Sequence, residues 1–206
     1  MEKASLALES YFHQKGIRFL AGVDEVGRGP LAGPVVAAAC LFPPNLKLEG
    51  IRDSKALSPK ARKKLFWQII SKTAVGIGVV DEHEIDRINI LRASLLAMRM
   101  AVLNLPVTPE LLLLDGNQTI DLPIDQIPVV RGDARLVSVG AASIVAKVTR
   151  DELMTCYAVK YPQYGFEKHK GYPTREHVQA LKKFGPSVIH RMSFGPVRAC
   201  LLEASV

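Results

Sequence analysis

The sequence predicts an α/β fold, a mixed β-sheet with helices on both faces. Three observations predict it. Apolar runs of strand length cluster early in the chain. Beyond them, such runs alternate with segments whose apolar residues recur at three- and four-residue spacing. Val35–Phe42 is almost wholly apolar, as a strand covered on both faces is expected to be.

The elements follow in order. A helix is expected over Glu2–Gln14, ending at Gly16. Phe19–Val26 reads as a strand entering a turn at Gly27-Arg28-Gly29-Pro30, and Val35–Phe42 as the next strand. Ser58 caps a helix with Pro59 in its first position, running to Lys72. Ala74–Val80 is a third strand, and the charge run Asp81, Glu82, Glu84 and Asp86 reads as a solvated helix start. Ile90–Leu105 is helical and stopped by Pro106. Leu111–Leu114 is a short buried strand, and Ile127–Val130 another, which Pro128 assigns to an edge. Ser138–Tyr161 reads as one long helix whose small residues Gly140, Ala141, Ala142, Ser143 and Ala146 permit close packing on the sheet. Tyr161–Pro173, rich in Pro and Gly, is a candidate functional loop or subdomain border. Thr174 caps a helix to Phe184, with His177 where a capping box wants an acid or its amide. A last helix is expected over Val197–Glu203. Without repeats or a linker, residues 1–206 read as one domain whose C-terminal helical part spans about 160–206.

Composition narrows the classes of function. Hydrophobic content of 48% and charged content of 23% are those of a globular chain, not a disordered one. A net charge of +7 favours polyanionic partners, nucleic acid or an anionic membrane, although a solvated basic surface gives the same total. Cys40, Cys156 and Cys200 are odd in number and form no CxxC, which argues against a disulfide framework or structural zinc. Met1–Gly16 carries Glu2 and Glu9 and does not read as a signal peptide. The longest apolar stretch, Gly29–Phe42, is broken by Pro30, Gly33 and Pro34 and falls short of the ~20 residues a bilayer span needs. A cytoplasmic protein with no membrane partner is expected.

Four carboxylates stand out. Asp24 and Glu25 interrupt an apolar strand at its end, Asp115 follows four leucines, and Asp133 lies just past Ile127–Val130. Ligand sites of open α/β sheets gather beyond the C-terminal ends of strands. If these strands are neighbours, the four acids converge, and they repel one another unless a cation neutralises them. Oxygen-only ligation suits Mg²⁺ or Mn²⁺, and two such ions about 4 Å apart can activate water and stabilise the leaving oxygen of a phosphodiester. Against this, Asp115-Gly116 and Gly132-Asp133 are ordinary turn signals. Neighbouring strand residues also point to opposite faces, so Asp24 and Glu25 share a site only if the strand ends or twists there. A glycosidase also uses paired carboxylates, but the basic charge fits a polyanion better than a neutral sugar.

From Lys160 to Cys200 eight basic residues, Arg191 among them, face two acids, nearly the whole excess charge, and six of the 13 aromatics lie there. Basic residues suit phosphates, and aromatics pack on sugars or bases. Phe184 and Phe194 read as core, whereas Tyr172, between Gly171 and Pro173, reads as exposed and ligand-facing. His169, His177 and His190 have no metal-ligand spacing. Gly27 and Gly29 let backbone approach a ligand closely, or simply form a tight turn.

Taken together, these segments resemble ribonuclease HII, the bacterial type 2 ribonuclease H, from about Ala21 to Val197. The resemblance rests on the run from Gly22-Val23-Asp24-Glu25-Val26-Gly27-Arg28-Gly29 to Val36, on Asp53-Ser54-Lys55, and on Leu114-Asp115-Gly116. It continues through Gly132-Asp133-Ala134, Ala141–Asp151, His169-Lys170-Gly171-Tyr172-Pro173-Thr174 and Ser193-Phe194-Gly195-Pro196-Val197. It implies a ribonuclease H-like fold with a small C-terminal helical part, and endonucleolytic, two-metal hydrolysis, leaving 3′-hydroxyl and 5′-phosphate ends. The implied substrates are RNA–DNA hybrids and DNA with embedded ribonucleotides, cut by a monomer. Asp24, Glu25, Asp115 and Asp133 would hold two divalent ions, Mg²⁺ or Mn²⁺. Gly27, Arg28 and Gly29 would sense the 2′-hydroxyl that separates RNA from DNA, largely through backbone. Tyr172 would lie against the sugar of the following nucleotide and favour deoxyribose. Ser54, Lys55, Ser143, Lys147 and Lys170 are further candidate substrate contacts, and residues 160–206 the substrate-binding part. One departure is visible: Met192 follows Arg191 where the family often has a second basic residue, which puts one phosphate contact in doubt. A non-catalytic hybrid binder and another two-metal nuclease of this fold remain alternatives.

Overall fold

The computed structural model describes residues 6–46, 48, 50–51 and 57–203. Its five-stranded sheet comprises β1 (Leu20–Val26), β2 (Val35–Phe42), β3 (Val75–Val80), β4 (Leu111–Asp115) and β5 (Asp125–Val129), in the order β3-β2-β1-β4-β5. β1 pairs antiparallel with β2, and β2 with β3. β4 runs parallel to β1 and to β5, so the sheet is mixed, as expected. β5 is an edge strand, the place where Pro128 costs no ladder bond on its outer side.

The helices are α1 (Ala7–Gln14), α2 (Pro59–Lys72), α3 (Glu82–Ile88), α4 (Ile90–Leu103), α5 (Gly132–Arg135), α6 (Val137–Lys160), α7 (Phe166–His169), α8 (Arg175–Phe184) and α9 (Gly195–Glu203). Alternate strand residues face opposite layers. Leu20, Leu111 and Leu113 pack with α6, while Ala21, Val23, Leu112 and Leu114 pack with Ala93, Ala97 and Ala101 of α4. All eight residues of β2 are buried, because helices cover both of its faces.

The small residues of α6 do what their size allows. At Gly22, where α6 crosses β1, a Cβ would overlap the backbone of Ser138. The first turn of α6 meets an acid whose role the sequence does not announce. Glu9 of α1 is buried, and its Oε1 accepts bonds from Ser138 N (3.0 Å) and Ser138 Oγ (2.9 Å). A carboxylate on unpaired N–H groups at a helix N-terminus is electrostatically favourable.

Several expectations are corrected. The charge run at Asp81 is not simply solvated. Asp81 caps α3, Glu82 is buried, and Asp86 accepts from Met192 N (2.7 Å) and Ser193 N (3.0 Å), tying the C-terminal part to α3. Phe184 is not core: it ends α8 half exposed (48%), with Lys183 over its ring. Phe194 is half-buried against two clusters. The Tyr161–Pro173 stretch is largely ordered as a single 3-10 turn (Pro162–Tyr164) followed by α7.

Candidate active site

β1 and β4 place the acids by where their pairing stops. β1 stays paired with β2 as far as Val26–Val36, but its pairing with β4 ends at Val23–Leu114. Asp24 and Glu25 therefore overhang the end of β4. Asp24 turns to the α6 face and Glu25 to the α4 face, while Asp115, last residue of β4, stands beside both. Carboxylate oxygens of Asp24, Glu25 and Asp115 lie within 4.8 Å of one another. The strand need not end for the pair to meet; its neighbour's ending suffices.

Asp133 reaches the same cleft from α5. Arg131, at φ 58°, turns the chain after β5, and Asp133 N donates to Asp115 Oδ1 at 3.4 Å. The cleft, about 230 Å³, is lined by all four acids together with Arg62, Ser143, Lys147 and Tyr172. Asp24 and Asp133 are buried. Burial first, then the charges of Glu25 and Asp115, push the Asp24 carboxyl well above the ordinary carboxylate range, against a bond from Ser143. Glu25 is also raised, by burial foremost, with Arg28 partly offsetting it at 3.3 Å. Glu25 Oε2 is buried and has no hydrogen-bond partner among the described residues. An orphaned oxygen among crowded carboxylates fits a divalent cation with oxygen ligands.

The turn after β1 is held from behind. Arg191 is fully buried, and its hydrogen bonds among the described residues go to carbonyls. Its guanidinium donates to Gly27 O (2.6 Å), Arg28 O (3.1 Å) and Gly33 O (2.8 and 2.9 Å). Arg150, equally buried, donates to Pro34 O (2.9 Å), Ala32 O (3.1 Å) and Lys170 O (3.0 Å). Burial lowers Arg191 to about 9 and Arg150 to about 10, so both stay charged at neutral pH. Arg191, expected from the sequence to face a polyanion, is instead a backbone clamp. Gly27 has φ +97°, and a Cβ there would overlap the Arg150 side chain. Gly29 faces Tyr172, whose ring would lie 3.6 Å from a Cβ at that position.

Tyr172 is 38% exposed, with Lys147 Nζ 6.0 Å from its ring centroid, and Lys147 also donates to Asp151 at 2.7 Å. The three histidines lie behind Tyr172. His177 Nδ1–H donates to Tyr172 O (2.9 Å), which leaves Nε2 to accept from His190 Nε2–H (3.1 Å). His190 Nδ1 in turn accepts from Ser187 N (2.9 Å). Burial, then His177, lowers His190 to about 4, and burial lowers His177. His177 and His190 are therefore neutral at pH 7, and their bonds to backbone make them structural.

Lys170 does not line the acid cleft. It lines an adjoining cleft of about 450 Å³ with Arg62, Lys63 and Lys168, and donates to Thr155 Oγ1 at 2.7 Å. The two clefts share Arg62 and Lys147. Arg62, on α2, is a site residue that the sequence reading misses; the basic run Lys60–Lys64 at a helix start is the available signal. Ser54 and Lys55, with Asp53, fall outside the described residues.

Similar proteins bear on this arrangement. The crystal structure of the ribonuclease H2 from Pyrococcus horikoshii superposes with a TM-score of 0.75 at 28% identity, covering 90% of this chain and 98% of that one. Bst-RNase HIII, solved in complex with Mn²⁺, shares the fold at a TM-score of 0.69 and 21% identity, covering 93% of this chain and 72% of that one. With the sequence relatives below, the fold defines a ribonuclease H, a phosphodiester-hydrolysing endonuclease. The family model for ribonuclease HII matches residues 21–197, and the chain belongs to that family. Ribonuclease HII of Acetivibrio thermocellus is 52% identical over 187 residues, 90% of this chain and 73% of that protein. That of Bacillus subtilis is 49% identical over 193 residues, 93% and 75% of the two chains.

Proposed function

We propose that the protein hydrolyses the RNA strand of RNA–DNA hybrids, and duplex DNA at single embedded ribonucleotides, using two divalent ions, Mg²⁺ or Mn²⁺. It would act as a monomer, in the cytoplasm. The observation that carries this reading is the three-carboxylate cluster, with its orphaned Glu25 oxygen, directly followed by the Gly27-Arg28-Gly29 turn.

In this reading Asp24, Glu25, Asp115 and Asp133 hold the ions. Bound there, the ions supply an activated water and charge stabilisation for the leaving oxygen. The water oxygen bonds to phosphorus as the water gives up a proton, the bond from phosphorus to the 3′ oxygen breaks, and that oxygen takes a proton. The ends are a 3′-hydroxyl and a 5′-phosphate. Gly27, Arg28 and Gly29 meet the 2′-hydroxyl through backbone groups fixed by Arg191. Tyr172 packs on the next sugar, where a 2′-hydroxyl would crowd the ring. Arg62, Ser143 and Lys147, lining the acid cleft, approach the strand's phosphates, with Lys170 along the adjoining cleft. Residues 160–206 form the substrate-binding part.

The test is a duplex carrying one ribonucleotide, incubated with protein and Mg²⁺ or Mn²⁺. Cleavage beside the ribonucleotide is expected from the parent and not from Asp24→Asn. An intact duplex under both metals, or equal cutting of an all-DNA duplex, overturns the reading.

A further inference from the structure

The acids separate two clefts, and the second has no role in the function proposed above. On the α6 side lies the cleft with Tyr172; on the α4 side, sharing Glu25 and Asp115, a cleft of about 320 Å³ opens. That volume is at the lower end of small-ligand sites, roughly 300–1,000 Å³. Its floor is Leu91, Leu95 and Met98, three- and four-residue neighbours on one face of α4, and Leu91 is 43% exposed. The Arg28 side chain borders it on one side. On the other stand the exposed amides of Asn117 and Gln118.

The walls of this cleft are fixed to one another. Gln126 of β5 clamps the loop after Asn117 and Gln118: its Oε1 accepts from Ile120 N (2.8 Å), and its Nε2 donates to Ile120 O (2.8 Å) and Leu122 O (3.0 Å). Arg99 of α4 donates to Asp121 O at 3.0 Å, joining the same loop to the helix that forms the floor. Gly116 N, at the pivot, donates to Val129 O at 3.1 Å. Two exposed amides thus sit on a braced loop over an apolar floor, beside the acids. Apolar floors receive sugar and base faces, and amides both donate and accept.

We infer that this cleft is the subsite for the nucleotide preceding the cleaved ribonucleotide, and that Asn117 and Gln118 read its sugar. The inference rests on the proposed function. If the following nucleotide lies at Tyr172 and the scissile phosphate over the acids, the strand leaves across Glu25 and Asp115 into the α4 cleft. The preceding sugar is deoxyribose when a ribonucleotide stands alone, and ribose within a run of RNA. A hydroxyl-reading amide there sets the preference between the two substrates.

The experiment compares two duplexes of identical sequence, each with one scissile ribonucleotide, differing only in the 2′-hydroxyl of its 5′ neighbour. The ratio of their kcat/KM values is measured for the parent and for Asn117→Ala/Gln118→Ala, whose side chains are exposed and whose folding is checked by thermal melting. Loss of a hydroxyl contact shifts the ratio by about three- to tenfold toward the deoxyribose neighbour. Leu91→Glu, which sets a charge against the incoming backbone, raises KM on both duplexes more than it lowers kcat. An unchanged ratio in the double variant together with an unchanged KM in Leu91→Glu overturns the subsite, while a parent that cuts normally leaves the proposed function standing. A parent that cuts neither duplex overturns both.

Discussion

Asp24 ionises against burial and against its neighbours, and this makes the site a liability for the metal-free fold. Its carboxyl sits well above the ordinary value of 3.8, so the folded state holds its proton more tightly than the unfolded chain does. The stability this brings is complete below about 3.8 and is lost as pH climbs through the raised value. In chelator, Asp24→Asn should therefore melt above the parent at neutral pH, with the gap closing as pH falls toward 3.8. Mg²⁺ or Mn²⁺ should raise the parent's Tm, more strongly as pH rises, because its ligands must shed protons. An Asp24→Asn protein that melts below the metal-free parent at neutral pH would contradict this account. The same substitution should lower cleavage by at least about 10²-fold, the magnitude of losing one charge-stabilising group. Arg191 acts at the opposite sign: it is a buried charge held by carbonyls. Lysine keeps the charge but not the planar fork. Arg191→Lys should cost about 2 kcal/mol or more by denaturant titration, and should lower the preference for ribonucleotide-containing duplex as the Gly27–Arg28 carbonyls lose their restraint. A variant of parental stability and parental preference would show that the guanidinium does not fix the turn.

The packing of α6 on β1 is fixed by a missing atom. Gly22→Ala forces a Cβ into Ser138 backbone, which cannot rotate away as a side chain could. Overpacking of this kind costs about 1–3 kcal/mol or more, and because Asp24 and Ser143 ride on the two elements, metal-dependent cleavage should fall along with Tm. A Tm within about 1 °C of the parent, well under the shift such a cost implies, would show that α6 shifts freely. β1, β2, β4 and the length of α6 are readable from apolar runs and small residues, because those patterns are local. The meeting of Asp24 with Glu25 is not, since it depends on the β1–β4 pairing stopping one residue short of them, and register between distant strands leaves no local trace. The burial of Arg150 and Arg191 is illegible for a different reason. Arginine is ordinarily a surface residue, and carbonyls supplied mostly by a loop more than a hundred residues away, with Lys170 O added for Arg150, make its burial tolerable. Phe184 departs from expectation the other way, an aromatic at a helix end that stays half exposed.

Charge is distributed so that the basic excess borders the acids rather than surrounding them. Arg62, Lys63, Lys147, Lys168 and Lys170 line one continuous pair of clefts that ends at Asp24, Glu25, Asp115 and Asp133. Lys63 and Lys147 are each engaged by an acid, at 2.9 and 2.7 Å, whereas Lys170 donates to a hydroxyl. Asp151, Glu152 and Glu167 also line the larger cleft, so a duplex backbone laid along this track would meet cations partly balanced by acids before the four carboxylates, where divalent ions would reverse the sign. Each phosphate neutralised by a side chain releases condensed counterions, and contributes about −0.9 to the slope of log K against log salt. Hybrid binding to Asp24→Asn, expected to hold substrate without cutting it, should therefore weaken steeply between about 50 and about 200 mM salt. Lys168→Ala and Lys170→Ala should each flatten that slope by about 1, and should do so equally for hybrid and all-DNA duplexes, because a phosphate contact carries no information about the sugar. Changes at Tyr172 should leave the slope alone and alter only the ratio between the two duplexes. A slope unmoved by both lysine variants would mean that the basic cleft is not the path of the strand, whatever the acids do at its end.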